Sequence, residues 1–421
     1  MVLVNFLVDQ IFGEAALFLG IIALVGLLIQ KKSFSDVISG TLKTVIGVMI
    51  LMVGVGILVD SILPVQFAFI EVAPAGGGEP AAIPGALGEA GLIAEYGSHI
   101  GLAMLFAFLI NIVVARFTPI KHIFLTGHML FWFPFVFVAV GVESGFSGTA
   151  LTIFATIFTA AYMIIMPALI TPFVNKVTGD NSFTLGHPTV GLAILSGFIG
   201  KWFGDKSKST EDIKFPDGIQ FLREITITSS LVIFIVYIVM GIIMGVSNGF
   251  GTIAGVYGTD LNWILFSFLQ GLTFGAGLTL LLMGVRMMLA EIVPAFKGIS
   301  DKLVPGAIPA LDCPLVFPFA PNAVLIGFIV SMITSTIALV IIGVSGIVPF
   351  IILPLVITCF FEIGTAAVIA NATGGRRGAI LGAAVSGVVM IILVAVSVPF
   401  LRGTIADWIL ISADRISPYG Q

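Results

Sequence analysis

Apolar runs long enough to cross a bilayer alternate with short polar segments along most of the 421-residue chain. A transmembrane helix needs about 20 predominantly apolar residues. Ten runs approach or exceed that length, near residues 11–30, 44–63, 97–115, 122–142, 149–172, 225–246, 261–285, 322–343, 347–370 and 378–400. The pattern predicts an all-α polytopic membrane protein with about ten transmembrane helices.

Lysine and arginine occur in every second connection between these runs. They lie near residues 31–43, 116–121, 176–223, 286–302 and 376–377, and the connections between those segments lack them. Because cytoplasmic loops concentrate these residues, the pattern predicts that both termini lie outside. The first ten residues lack the positive region of a signal peptide, so we expect the first helix to be retained.

Residues 303–323, LVPGAIPALDCPLVFPFAPNA, interrupt the helical pattern with five prolines although nearly every neighbour is apolar. Irregular backbone at membrane depth requires that protein or a water-filled cavity satisfy its polar groups. Asp312 is the sole charged residue between Lys302 and Glu362. We expect a broken re-entrant hairpin in which Asp312 faces a polar site, because a charge at this depth costs about 2.5–3.5 kcal/mol. A cytoplasmic loop whose Asp312 caps a short helix is the alternative.

A second Gly- and Pro-rich segment, residues 73–98, follows the second predicted span on the opposite side. Two broken segments in corresponding places predict an inverted repeat, with halves at 1–200 and 224–421 joined by a cytoplasmic loop at 201–223. Such folds hold substrate near the midplane, between the two discontinuous elements. The alternative is that residues 73–98, which contain three glutamates, form only an external loop.

Polar residues inside the apolar runs mark a candidate cavity. His128 follows Thr126 and Gly127 in the fourth predicted span, and His187 lies in a polar segment after the fifth. Glu362 and Thr365 are three residues apart, on one face of the ninth predicted helix. A buried histidine is often only a satisfied hydrogen-bonding group, but intramembrane polar residues are commonly functional, so we expect a shared polar cavity.

Composition narrows the function further. Hydrophobic residues make up 58% of the chain and charged residues 10%, with a net charge of −4, which excludes a soluble domain and a basic nucleic-acid surface. The two cysteines have no metal or redox spacing, and neither a P-loop nor a nucleophile elbow occurs. We therefore expect a transporter or channel subunit without cofactor or metal. Residues 204–224, the most charged stretch, are either a solvated loop or a docking surface for a soluble partner.

Four motifs resemble one known family. TGH at 126–128, SFTLGH at 182–187, the block at 286–328 and GGRRGA at 374–379 are similar to the membrane subunit, enzyme IIC, of L-ascorbate phosphotransferase systems. Galactitol permeases are more distant relatives. The resemblance extends from the first predicted span to about residue 400, and the block at 286–328 is highly specific.

The resemblance implies an inverted-repeat fold with two re-entrant hairpins, assembled as a homodimer in the bacterial inner membrane. It implies an elevator-type movement of a core domain against a dimerisation scaffold. A separate phosphorylated enzyme IIB, supplied by enzyme IIA, would phosphorylate the sugar on release, so the chain is not an enzyme by itself. Matching motifs carry the family's substrate contacts onto five positions: Gly127, His128, His187, Asp312 and Thr365.

The chain departs from the family pattern at several of these places. Trp132 and Pro188 stand where the family has glutamines, and Glu362 stands where it has a small polar residue. We expect Glu362 to tune specificity, because an added carboxylate changes which ligands the cavity can bind. The substrate is then L-ascorbate, a different polyol or sugar acid, or another neutral or cationic compound. An ion-coupled secondary transporter on the same fold, with a proton or Na⁺ at Asp312 and Glu362, is the alternative function.

Overall fold

The computed structural model describes residues 15–72, 87–213, 218, 221, 224–345, 347–348, 352 and 355–406. The helices in these ranges are α1 (Ala15–Ile29), α2 (Phe34–Val72), α3 (Gly88–Phe117), α4 (Gly127–Glu143), α5 (Gly148–Thr178), α6 (Val190–Phe203), α7 (Ile225–Asn248), α8 (Ile253–Val256), α9 (Trp263–Lys302), α10 (Pro321–Ser345), α11 (Val356–Thr358) and α12 (Gly364–Phe400). Three short strands, β1 (His122–Phe124), β2 (Thr184–Leu185) and β3 (Ile308–Leu311), complete the regular structure, with a 3₁₀ helix at Cys313–Phe319 and a π-helical turn at Cys359–Ile363.

Seven apolar helices in the described part of the chain are long enough to cross a membrane, and three shorter apolar helices accompany them. Their outer faces carry exposed aliphatic side chains, as at Ile153, Ile157 and Ile333, each more than half exposed. Lipid is the solvent that suits such a surface. The prediction of a multi-pass, almost entirely helical membrane protein is confirmed.

Two predicted spans differ from the observed helices. The fourth begins as strand β1 rather than as helix, so α4 starts only at Gly127. Of the ninth, residues 356–370 form α11, the π-helical turn and the first part of α12. Its predicted separation from the tenth span appears as a break at Gly374 and Gly375, whose backbone angles are non-helical. Gly375 has φ +56°, a conformation that glycine adopts without a Cβ penalty.

The helices pack as two groups. The scaffold group comprises α1, α2, α7 and α9, and the core group comprises α3 to α6, α10, α12 and the strands. Within the scaffold, α2 and α9 approach so closely that a Cβ at Gly47 would lie 2.7 Å from the Met288 backbone nitrogen. Contacts between the groups are far sparser than those within them. Each group takes helices from both halves of the sequence; the inverted repeat itself stays a prediction.

A three-stranded parallel sheet lies inside the core group, in the order β1-β3-β2. His122 pairs with Ile308 and Leu185 with Leu311. The Asn111 side chain supports the sheet from α3, since it donates to the His122 carbonyl and accepts from the Phe124 N–H. A Cβ at Gly186, directly after β2, would lie 2.8 Å from the Phe124 ring and 3.1 Å from the Ala310 Cβ.

The two predicted broken segments have different outcomes. Residues 303–323 are broken as predicted: α9 ends at Lys302, and β3 and the 3₁₀ helix precede α10. Asp312 accepts a 2.7 Å hydrogen bond from the Cys313 N–H at the start of the 3₁₀ helix. The location of this segment at membrane depth stays a prediction. Residues 73–86 of the other segment lie outside the described residues, and residues 88–98 belong to α3.

Candidate substrate site

The three parallel strands deliver the candidate site residues to one place. Gly127 begins α4 three residues after β1, His187 lies two residues after β2, and Asp312 directly follows β3. Backbone hydrogen bonds continue the sheet past the strand ends, since the Leu125 N–H donates to the Ala310 carbonyl and the Gly186 N–H to the Leu311 carbonyl, both at 2.8 Å. Because the carboxyl ends of parallel strands share one edge, residues far apart in sequence converge there.

His187 lies between two carboxylates. Its Nε2 is 3.6 Å from Asp312 Oδ1, and its Nδ1 is 3.4 Å from Glu362 Oε1. The His187 and Glu362 side chains are almost fully buried, whereas that of Asp312 is 21% exposed. Each ring nitrogen therefore has a carboxylate beside it. The Thr189 N–H donates to the same Nδ1 at 3.4 Å.

A π-helical turn positions Glu362. The turn spans Cys359–Ile363, and the Thr189 hydroxyl donates to the Glu362 carbonyl at 2.8 Å. π-Helical turns inside helices often occur at functional sites, because the extra residue changes the direction of a side chain. The buried hydroxyl of Thr365 donates to the Phe361 carbonyl at 2.7 Å and lies beside Cys313. The turn and the start of α12 therefore bring both residues to the strand ends.

A small cavity of about 20 Å³ opens beside Asp312, between the two helix groups. Its core side includes Thr126, Gly127 and Asp312, and its scaffold side is an apolar wall: Leu19, Val48, Leu51, Met52 and Met288. A volume of this size holds about one water molecule and excludes a sugar. Polar groups thus face an apolar wall, with little room between them.

Thr126 is a site residue that the sequence did not single out as a contact. Its side-chain hydroxyl is buried and has no partner among the described residues, and the residue lines the small cavity. A buried hydroxyl without a hydrogen bond costs about 1–3 kcal/mol, which a bound ligand would recover. In the sequence, its position directly before Gly127 was the feature that could have indicated a role at the site.

Glu362 does not line the small cavity. It borders a second groove of about 470 Å³, formed mainly by apolar residues of α6 and α12. His187 therefore lies between Asp312, which lines the small cavity, and Glu362, which borders the second groove.

The predicted site residues have distinct outcomes. Four of them form one cluster: His187, Asp312, Glu362 and Thr365. Gly127 lies on the wall of the small cavity. His128 is described only by its backbone, in the first turn of α4. Ligand atoms of His187, Asp312 and Cys313 lie within 4.8 Å of one another, a spacing that would also admit a cation. Glu291 pairs with Lys43 at 3.2 Å, away from the cluster.

Comparison with known proteins decides the family. Residues 10–414 match the EIIC-GAT family model, described as the PTS system sugar-specific permease component. The chain belongs to this family. The resemblance in the four motifs is therefore confirmed for nearly the whole chain.

One protein with a known name is similar to most of this chain. The chain is similar to the "Ascorbate-specific PTS system EIIC component" of Mycoplasma pneumoniae, with 29% identity over 447 residues. The match covers 92% of this chain and 65% of the relative, so the chain spans about two thirds of the length of that protein.

Proposed function

We propose that this EIIC-GAT chain is the membrane permease subunit of a phosphotransferase system and translocates L-ascorbate or a related small polyhydroxylated compound. The observation that carries the proposal is the polar cluster at the strand ends, which faces the interface between two helix groups in a family of sugar permeases. The name of the Mycoplasma pneumoniae relative supports ascorbate as the first ligand to test.

The polar groups suit a polyhydroxylated ligand. A carboxylate only accepts hydrogen bonds, so Asp312 accepts from ligand hydroxyls. Both ring nitrogens of His187 lie beside carboxylates, so His187 holds the Asp312 carboxylate in place. The Thr126 hydroxyl can donate and accept, and Gly127 allows close approach to the backbone. Thr365 and His128 belong to the same proposed site. Glu362 holds the His187 ring in position, which makes it a positioning residue that tunes specificity.

Translocation requires the two helix groups to separate. The cavity between them is too small for a sugar, so the apolar wall of α1 and α2 has to withdraw from Asp312 before a ligand enters. Sparse contacts between the groups keep the cost of that movement low. We infer an elevator-type movement of the core group against the scaffold group, with the scaffold forming a homodimer in the bacterial inner membrane and both termini outside.

The phosphoryl-transfer chemistry belongs to a partner. Enzyme IIB, phosphorylated by enzyme IIA, would modify the ligand on the cytoplasmic side, and this chain would supply its position and access.

Reconstituted vesicles test the proposal. Proteoliposomes that contain the purified chain are given radiolabelled L-ascorbate outside and phosphorylated enzyme IIB inside. We expect the label to accumulate as a phosphate ester, and only when enzyme IIB is present. Accumulation of unmodified ascorbate that collapses with an ionophore would instead establish the ion-coupled alternative.

A further inference from the structure

A second polar assembly lies on the core group, at the break in α12. The loop at 205–212 is bonded to that break on both sides: the Asp205 N–H donates to the Gly374 carbonyl at 2.8 Å, and the Arg376 N–H donates to the Lys208 carbonyl at 2.7 Å. A Cβ at Gly375 would collide with the Asp205 and Lys208 carbonyls, so only glycine permits this contact. The loop therefore has a fixed position relative to α12.

The same loop is fixed to α10. Glu211 accepts hydrogen bonds from the N–H groups of Ala323 at 3.2 Å and Asn322 at 3.4 Å, in the first turn of that helix. A carboxylate at a helix N-terminus satisfies otherwise unpaired donors and interacts favourably with the helix dipole. The Thr210 N–H donates to Asn371 of α12 at 3.0 Å. These contacts join three elements, α6, α10 and α12, through one short segment.

Four exposed cations surround this junction: Lys206, Lys208, Arg376 and Arg377. We call them the cationic face. Two exposed carboxylates of the same loop, Asp205 and Asp212, lie near them. Hydrogen bonds from the Ser207 hydroxyl and N–H hold the pKa of Asp205 below its usual range, with Lys208 and Arg376 contributing. The positive-inside rule explains why cations occur at a cytoplasmic end, but it requires no fixed loop.

We propose that the cationic face is the docking surface for the phosphorylated partner protein, an inference that rests on the proposed function above. A phosphoryl group carries about −1.5 to −2 charges, and arginine recognises phosphate oxygens through two parallel hydrogen bonds. The face complements such a partner in charge. Because the loop is already ordered, docking requires little further loss of conformational freedom.

The location of the face connects it to the substrate site. α12 carries Thr365 at its start and the break at Gly374 nine residues later, about 14 Å away at 1.5 Å per residue. α10 begins directly after the segment that carries Asp312 and is capped by Glu211. A partner on this face contacts the core group, which holds the ligand, and not the scaffold group.

Scaffold cations provide a contrast. Lys43 is paired with Glu291, and the Lys302 ammonium donates to the Ile29 carbonyl at 2.7 Å. Lys31 and Lys32 are exposed in the turn between α1 and α2. They form an adjacent exposed pair that matches Arg376 and Arg377 in charge and spacing, on the other helix group.

A binding experiment tests the assignment. The test variant carries Arg376→Gln with Arg377→Gln, a second variant carries Lys206→Gln with Lys208→Gln, and the control carries Lys31→Gln with Lys32→Gln. Each purified full chain is titrated with phosphorylated enzyme IIB of an ascorbate system by calorimetry. We expect the dissociation constant to rise about tenfold in each face variant and to stay unchanged in the control. L-Ascorbate binding, measured on the same samples, should be unchanged throughout.

The outcomes separate the two proposals. Equal enzyme IIB affinity in the wild type and both face variants would overturn the docking surface and leave the permease function standing. If the wild type binds neither enzyme IIB nor ascorbate, the proposed function itself is wrong. A last measurement compares thermal stability in nanodiscs with and without anionic lipid. If anionic lipid stabilises the wild type but not the face variants, and enzyme IIB affinity is unchanged, these cations bind lipid. That result would overturn the proposal.

Discussion

At the residue scale, Asp312 has two tasks that its short carboxylate performs together. One oxygen accepts from the Cys313 N–H and lies 3.6 Å from the imidazole of His187. The partly exposed carboxylate also lines the small cavity. The residue thus begins the 3₁₀ helix, and in the proposed site it presents a negative charge to the ligand, which accounts for a charge in such apolar surroundings.

Asp312→Asn should weaken L-ascorbate binding about tenfold to a hundredfold, because a hydrogen bond to a charged group contributes about 1.5–3 kcal/mol. The amide oxygen still accepts from the Cys313 N–H, so the fold and the oligomeric state should be retained. Equilibrium binding and size-exclusion chromatography measure the two effects. Asp301→Asn, on the exposed end of α9, is the matched control; equal affinity in both variants would remove Asp312 from the site.

Glu362→Gln should weaken L-ascorbate binding about tenfold, because the variant removes the charge that holds His187 beside Asp312, and a hydrogen bond to a charged group contributes about 1.5–3 kcal/mol. Glu362→Asp, which keeps the charge, should recover part of the lost affinity. Equilibrium binding measures both effects, with Glu291→Gln as the control on the scaffold group. Equal affinity in Glu362→Gln and the wild type would remove Glu362 from the site.

The sequence predicted Asp312, His187, Glu362 and Thr365 as one site because polar residues are rare in apolar spans. It could not predict that Glu362 lies behind His187, since that depends on the π-helical turn, which has no local sequence pattern. Thr126 was not predicted either. Its importance arises from a missing hydrogen-bond partner, and partners are properties of the packed structure.

At the element scale, three short strands organise the site, and one of them, β1, replaces the predicted start of a helix. HIF at β1 and IPAL at β3 are short, mostly apolar runs of three and four residues, and such runs do not distinguish a strand from a buried helical segment. The prolines of residues 303–323 did predict the broken backbone. The partner strands could not be predicted, because β1 and β2 pair with a segment more than 120 residues away.

Gly186→Ala should destabilise the protein by about 1–3 kcal/mol, because the added Cβ overlaps the Phe124 ring in a packed interior. Ascorbate binding should weaken as well, since His187 is the next residue. Gly191→Ala is the control, because its Cβ would meet no atom within 4 Å. Thermal unfolding in detergent checks the prediction; equal midpoints for the two variants would show that the strand junction tolerates a side chain.

At the scale of the whole molecule, the apolar pattern predicted the class of protein, and the family match confirms it. The resemblance implied a core domain and a scaffold, but the helices that form each group could not be predicted, since each group combines helices from both halves of the sequence. The proposed substrate cavity lies between the groups, so transport depends on their relative movement. Without that movement, a cavity of about 20 Å³ cannot admit a sugar.

Cross-linking the two groups tests this claim most directly. Leu51→Cys on α2 and Leu315→Cys in the 3₁₀ helix line the cavity from opposite groups, whereas Val48→Cys and Met288→Cys line it from the scaffold alone. Oxidation with copper phenanthroline should join each pair by a disulfide, because both side chains of a pair border the same small cavity. Uptake into proteoliposomes is then measured. We predict that the cross-link between groups abolishes uptake while the cross-link within the scaffold leaves it intact. Undiminished uptake with the two groups joined would contradict the account.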